Sequence, residues 1–137
     1  MKTKISIAIA FGVVLALAAG FYLFNKPHAD IVSQSPVARL SASELFDAFS
    51  SDESAANQNY TGKVVEVSGE IYSIEEGSQD DLNILLMGAS DMFGVSCNIS
   101  KEDLSQELSN GQQITIKGEC SGMLSDVVLI RCVIVKK

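Results

Sequence analysis

Three cysteines, Cys97, Cys120 and Cys132, are the residues best placed by type to do chemistry in this chain. A thiol attacks or binds metal as the thiolate, which needs a neighbouring base or cation. The single histidine, His28, lies far upstream beside Pro27, with no other ligand-type residues clustered around it. No two cysteines form a CxxC redox motif or zinc-knuckle spacing. Each instead shares the phase of apolar neighbours: Cys97 with Val95 and Ile99, Cys120 with Ile116, Cys132 with Ile130 and Ile134. Two readings stand. The cysteines are small buried core residues, or two of them form a disulfide and leave one odd thiol, as an oxidising compartment permits. Of the three pairings, Cys120–Cys132 is preferred.

The carboxylates offer less. Glu75-Glu76 and Asp80-Asp81 flank Gly77-Ser78-Gln79 in a polar turn. A cation site needs several oxygens converging from a shaped loop, and this stretch lacks that spacing. It reads as a solvated turn. No glycine run has the form of a phosphate cradle. The sequence therefore calls for no metal, no cofactor and no enzyme.

These residues must be delivered and positioned by the rest of the chain. Ile5 to Phe24 is an uncharged apolar run preceded by Lys2 and Lys4. As a helix, rising about 1.5 Å per residue, it reaches roughly 30 Å, the thickness of a bilayer core. A cleaved signal competes with an anchor, since Ala16-Leu17-Ala18 and Ala18-Ala19-Gly20 resemble cut sites. The apolar run continues past them through Phe21-Tyr22-Leu23-Phe24, which favours the anchor. Lys2, Lys4 and the amino terminus outweigh Lys26, which places the N-terminus in the cytoplasm and the rest outside. The expected organisation is a cytoplasmic 1–4, a transmembrane signal-anchor helix at 5–24, a linker at 25–39 and a folded domain at 40–137.

The net charge is −7, with ten basic and seventeen acidic residues. Lys2, Lys4 and Lys26 belong to the N-terminal end, so the domain is more acidic still. Such a body repels phosphate backbones at long range. Roughly 100 residues remain for it, enough for one modest core.

Ser41-Ala42-Ser43-Glu44 reads as a capping box, and Leu45, Phe46 and Phe49 share a helical stripe with Ala56 and Tyr60. This predicts a helix from Ala42 to about Asn57. The period then changes to two. Strands are expected around Val65–Ile71, where Gly69 suggests a bend, and at Leu82–Met87, Phe93–Ile99, Ile114–Cys120 and Val127–Val135. Phe93 shares the inward phase of its strand. Ser100 is expected to cap a short helix, Lys101 to Leu108, and Ser121 to Ser125 a turn.

Helix, three strands, short helix, two strands is the order of a five-stranded OB-fold, a Greek-key barrel of mainly β structure. The pattern Tyr60-x-Gly62-Lys63-Val64-x-x-Val67-x-Gly69-x-Ile71, then Val95-x-Cys97, then Leu108-x-x-Gly111-x-x-Ile114-x-Ile116-x-Gly118-x-Cys120-x-Gly122, then Asp126-Val127-x-Leu129-x-x-Cys132-x-Ile134 resembles the bacterial tRNA-anticodon-like OB-fold family. Its members are typically lipoproteins or membrane-anchored envelope proteins of unassigned function. No lipobox cysteine follows the small residues here, so anchoring by helix is implied instead.

OB-folds bind on strands two and three and on the loops that bracket them. The candidate ligand face is therefore Tyr72, Asp80, Asp81, Ser121, Met123 and Asp126. A single-stranded nucleic-acid site would want aromatic platforms beside Lys or Arg, whereas this surface offers acids. The expected function is a membrane-anchored extracytoplasmic binding module for a protein or other envelope component, with a monomeric soluble domain. Oligonucleotide binding by fold analogy is the alternative. The anchor reading has a direct check. Mass spectrometry of the carbonate-washed membrane fraction should find the chain with Lys2 and Lys4 retained, whereas a soluble chain starting after Ala18 or Gly20 would make the segment a cleaved signal.

Overall fold

A computed structural model of the chain describes residues 2–24 and 30–136. His28 and the first part of the expected linker lie outside them. Two compact units are present, one ending at Asp30 and one spanning Ile31–Lys137. The first contains helix α1, Lys2–Phe24. Its Lys4–Leu23 stretch has a mean hydropathy of 2.3 and is long and apolar enough to cross a membrane, a description that an anchor and a secretion signal share.

The second unit is a closed five-stranded OB-fold barrel with an added edge strand and two N-terminal helices. In chain order it comprises β1 (Ala38–Ser41), α2 (Ala42–Ser51), α3 (Glu53–Tyr60), β2 (Val64–Glu76), β3 (Asp81–Ser90), β4 (Phe93–Ser100), a 3-10 turn (Lys101–Asp103), β5 (Gln113–Met123) and β6 (Val127–Ile134). The sheet runs β1-β2-β3-β4-β6-β5 and closes through β2–β5. β2 serves two partners: Val64–Glu70 pairs with β5, and Ile71–Glu76 pairs with β3 after a bulge at Tyr72. The bend expected at Gly69 lies at this handover. A Cβ there would sit 3.1 Å from the Ala42 Cβ and 3.4 Å from the Leu86 Cβ. Glycine thus lets the start of α2 press onto the barrel.

The capping box forms as read. Ser41 Oγ accepts from the Glu44 backbone N–H at 3.2 Å, and a Glu44 carboxylate oxygen accepts from Ser41 N–H at 2.8 Å. These bonds with Ser41 hold the Glu44 carboxyl below its ordinary range. Leu45 and Phe49, one turn apart, plug the barrel and are buried with Val65, Val67, Ile71, Ile84, Leu86, Val95, Ile116 and Leu129. Each such side chain contributes about 1.5–3 kcal/mol on burial.

Four sequence expectations differ from the structure. The helix expected over Ala42–Asn57 breaks at Asp52, whose carboxylate accepts from Ala55 N–H at 3.0 Å and starts α3 afresh. Asp side chains offer the backbone this alternative partner. The helix expected over Lys101–Leu108 is only the 3-10 turn. Ser100 makes no side-chain cap bond, and the Lys101 N–H is given to the Asp80 carbonyl at 3.0 Å. The turn expected at Ser121–Ser125 is tighter, because Gly122 (φ 110°) carries β5 through a bulge to Met123. Finally, the segment from Ile31 to Ser41, most of it expected as linker, is laid onto the barrel. Ile31 is buried, Lys117 Nζ donates to the carbonyls of Val32 (2.8 Å) and Gln34 (3.0 Å), and β1 pairs in parallel with β2 from Ala38↔Val65 to Ser41↔Ser68.

The β3–β4 hairpin depends on close backbone approach at Gly94. A Cβ there would strike the Leu86 carbonyl oxygen and lie 2.9 Å from Gly88 N. Gly94→Ala should therefore destabilise the barrel by about 1–3 kcal/mol, read as a lower thermal midpoint; an unchanged melt would mean that the hairpin tip adjusts freely.

Candidate functional site

The three cysteines are free thiols on the buried side of β4, β5 and β6. The preferred Cys120–Cys132 bond is not formed. β4 and β6 run parallel with Ile99 opposite Cys132, and the side chain that Cys132 engages is Cys97. Cys120 lies on β5 with Thr61 and the backbone at Gly122 as its hydrogen-bonding neighbours. A hydrogen bond with Cys132, together with burial, pushes the Cys97 thiol well above its ordinary value. Burial pushes Cys120 up, against the opposing pull of Gly122 and Thr61. All three thiols are buried in the core, and those of Cys97 and Cys120 are pushed up, a setting that suppresses nucleophilic chemistry. Among the described residues, no group of three His, Cys, Asp or Glu side chains could hold a metal ion.

The outward face of β2, β3, β4 and β6 is the surface an OB-fold offers to ligands. Pairing register builds it in rows. Ser73, Leu85, Ser96 and Val128 stand in one row. Glu75, Asn83 and Asn98 stand in the next, where Asn98 Nδ2 donates to Asn83 Oδ1 at 3.1 Å. Two cations border the face and each meets a carboxylate: Lys101 with Glu76 at 3.2 Å, and Arg131 with Glu119. The face is hydroxyl, amide and aliphatic in character.

The expected site residues divide into separate places. Asp80 and Asp81 lie at the β2–β3 turn, where Gln79 and Asp80 adopt positive φ and Gly77 N–H donates to the Asp81 carbonyl at 2.8 Å. Ser121, Met123 and Asp126 lie at the β5–β6 end, which adjoins the start of β4 through Val95↔Val127. The eight residues of β4 stand between the two ends, roughly 25 Å at about 3.3 Å per residue. Tyr72 is exposed on the β2 bulge. Asp126 is partly spent: its Oδ1 accepts from Gly94 N–H at 2.9 Å, tying the β5–β6 turn to the β3–β4 hairpin.

Sequence reasoning missed the residues that this tie brings together. Phe93, expected inward, is 41% exposed and stacks on Phe46 with ring centroids 6.4 Å apart. It is the first residue of β4, pairing with Ser90 beyond the register shift on β3, where the buried alternation ends. Met92 beside it is 76% exposed and Leu124 on the neighbouring turn 89%. Only the isolation of Leu124 among polar turn residues hinted at this in the sequence. A concavity lies elsewhere. It is a shallow groove of about 470 Å³ beside Ser68, Gln112, Thr115, Ile134 and Lys136, and none of the expected site residues lines it.

A family model described as tRNA_anti-like matches residues 1–134. The chain belongs to the tRNA_anti-like family. A Klebsiella pneumoniae lipoprotein proposed to bind nucleic acid is similar in structure to this family member, with a TM-score of 0.60 and 22% identity over 81% of this chain and 100% of its own. That likeness is one of fold. Weaker similarity extends to Entamoeba histolytica asparaginyl-tRNA synthetase (TM-score 0.46, 13% identity, 75% of this chain and 24% of that one). It extends also to an OBody bound to hen egg-white lysozyme (TM-score 0.40, 14% identity, 58% of this chain and 87% of that one). No curated protein matches.

The thiols give this site its sharpest test. Burial shields all three thiols from reagent, so the native protein should consume almost no alkylating reagent, and the denatured, unreduced protein should label at Cys97, Cys120 and Cys132. Labelling of Cys97 alone after unfolding would restore the Cys120–Cys132 bond.

Proposed function

We propose that this chain is a membrane-anchored, non-catalytic binding module, with its N-terminus cytoplasmic and its barrel outside, and that its target is a protein or other envelope component. The observation that carries this reading is the pairing of Lys101 with Glu76 and of Arg131 with Glu119 at the borders of the OB-fold face. A phosphate backbone needs uncommitted positive charge along its track. Here the rows between those pairs are Ser, Asn, Leu and Val with one acid, Glu75, in a chain of net charge −7. Hydroxyls, amides and half-buried aliphatics suit a protein surface, where one hydrogen bond per 100–200 Å² or so surrounds an apolar centre. The burial of all three thiols, with no imidazole beside them among the described residues, and the raised values of Cys97 and Cys120 support a non-catalytic role.

Single-stranded nucleic acid is the second reading. It draws on the name of the Klebsiella lipoprotein and on exposed Tyr72, which could stack on one base. Fluorescence anisotropy of labelled single-stranded DNA and RNA, titrated with the full chain in phosphatidylcholine nanodiscs, separates the two. No saturable binding is expected at physiological salt. Saturable binding that persists there, and that Tyr72→Ala weakens, would overturn the protein-binding reading.

A further inference from the structure

The end of the barrel where the β3–β4 hairpin meets the β5–β6 turn carries an apolar tip. Met92 and Phe93 stand on the hairpin and Leu124 on the turn. Two hydrogen bonds and a strand pairing tie the hairpin to the turn. Asp126 Oδ1 holds Gly94 N–H, the Leu124 N–H donates to the Asp126 carbonyl at 3.0 Å, and β4 pairs with β6 from Val95↔Val127. Stacking on Phe46 orients the Phe93 ring. Among the described residues of the barrel unit, the other exposed large apolar side chains are Val32, Val37 and Tyr72, none of them on these loops. Folding does not explain the tip, since Met92 and Leu124 leave most of their surface in water.

The surroundings of the tip are predominantly acidic. The segments that build this end, 42–63, 88–100 and 119–131, contain two cations: Lys63, whose Nζ donates to the Gln58 carbonyl, and Arg131, which pairs with Glu119. They contain Glu44, Asp47, Asp52, Glu53, Asp91, Glu119 and Asp126. A second copy of the chain would bring the same acids against these. An anionic bilayer would be repelled before the apolar side chains reached it. A partner that covers Met92, Phe93 and Leu124 must present an apolar surface with basic residues around it. That arrangement gives an anchor at the centre and steering from the rim.

We propose that the Met92–Phe93–Leu124 tip is the docking point of this module for a protein partner with a basic-rimmed apolar surface. The proposal rests on the protein-binding reading above and names where and by what chemistry it acts. It also gives Asp126 a role: by clamping Gly94 it pre-organises two loops into one contact surface, which lowers the ordering cost of binding.

The test uses the full chain in phosphatidylcholine nanodiscs with 13C-labelled methionine methyls. The probes are a short amphipathic helix of leucines and lysines, and the same helix with glutamates in place of lysines. The lysine helix should bind, shift the Met92 methyl more than that of Met87, and weaken with salt. Met92→Ser combined with Leu124→Ser should lower its affinity about tenfold. Val37→Ser, an exposed apolar position away from the tip, should leave it unchanged. Both variants alter exposed side chains, and an unchanged thermal melt verifies that they fold. Equal affinity in the double variant, or equal binding of the glutamate helix, overturns the tip while leaving a protein target elsewhere on the barrel. Self-association lost in the double variant would assign the tip to a second copy, and a Met92 methyl shift on moving from phosphatidylcholine to phosphatidylglycerol nanodiscs would assign it to lipid; either overturns the proposal. A Met92 shift with single-stranded RNA and none with the peptide overturns this proposal and the protein-binding reading together.

Discussion

One strand belongs to two ladders, and the rest of the domain follows from that. β2 gives its first half to β5 and its second half to β3. A flat strand cannot do this, because its two hydrogen-bonding edges point in opposite directions in one plane. β2 therefore bends at Gly69 and bulges at Tyr72, and the sheet curls until its ends meet. Closure removes the free edges that an open sheet of these strands would expose. The stretch of β2 that still has a bare edge, Val65–Ser68, is covered by β1.

The bend also decides what fills the barrel. Without a Cβ at position 69, Ala42 approaches β2 closely, and α2 enters at an angle that drops Leu45 and Phe49 into the interior. The capping box fixes where the helix begins, so it fixes which side chains point inward. The chain between β4 and β5 forms only a 3-10 turn, and its Leu104 and Leu108 pack against the core. Small thiols complete the packing. Cys132 fits against Gly118, where a Cβ would sit 2.5 Å from its sulfur. Cysteine at these positions is a matter of size before it is a matter of reactivity.

Fold and function separate at the surface. The barrel is the one that tRNA-anticodon-like domains share, yet the outward rows carry hydroxyls, amides and aliphatics, with bordering cations set against carboxylates. A shared architecture transmits strand order and core spacing. It does not transmit charge, which resides on the half of each strand that the core leaves unconstrained. The apolar tip illustrates the same freedom: hairpin and turn residues are outside the core's control, so what they display reflects what they meet.

The sequence by itself determined the apolar span, the acidic balance, the capping box at Ser41 and Glu44, and the five barrel strands. Each is written locally, in run length, in charge, or in a period of two or 3.6 residues. It also placed the cysteines inside, since Cys97, Cys120 and Cys132 keep phase with their apolar neighbours. Tertiary structure alone decided the parallel strand Ala38–Ser41, the sulfur that Cys132 faces, the stacking of Phe93 on Phe46, and the Asp126–Gly94 bond that ties the Met92 hairpin to the Leu124 turn. Those depend on register between segments distant in the chain, and a single bulge shifts register without changing any local pattern. The expected site residues show both halves of this. Tyr72, Asp80 and Asp81 reach the surface as their turn and bulge dictate, while Asp126 turns its carboxylate to Gly94, a partner that only the folded barrel brings within reach.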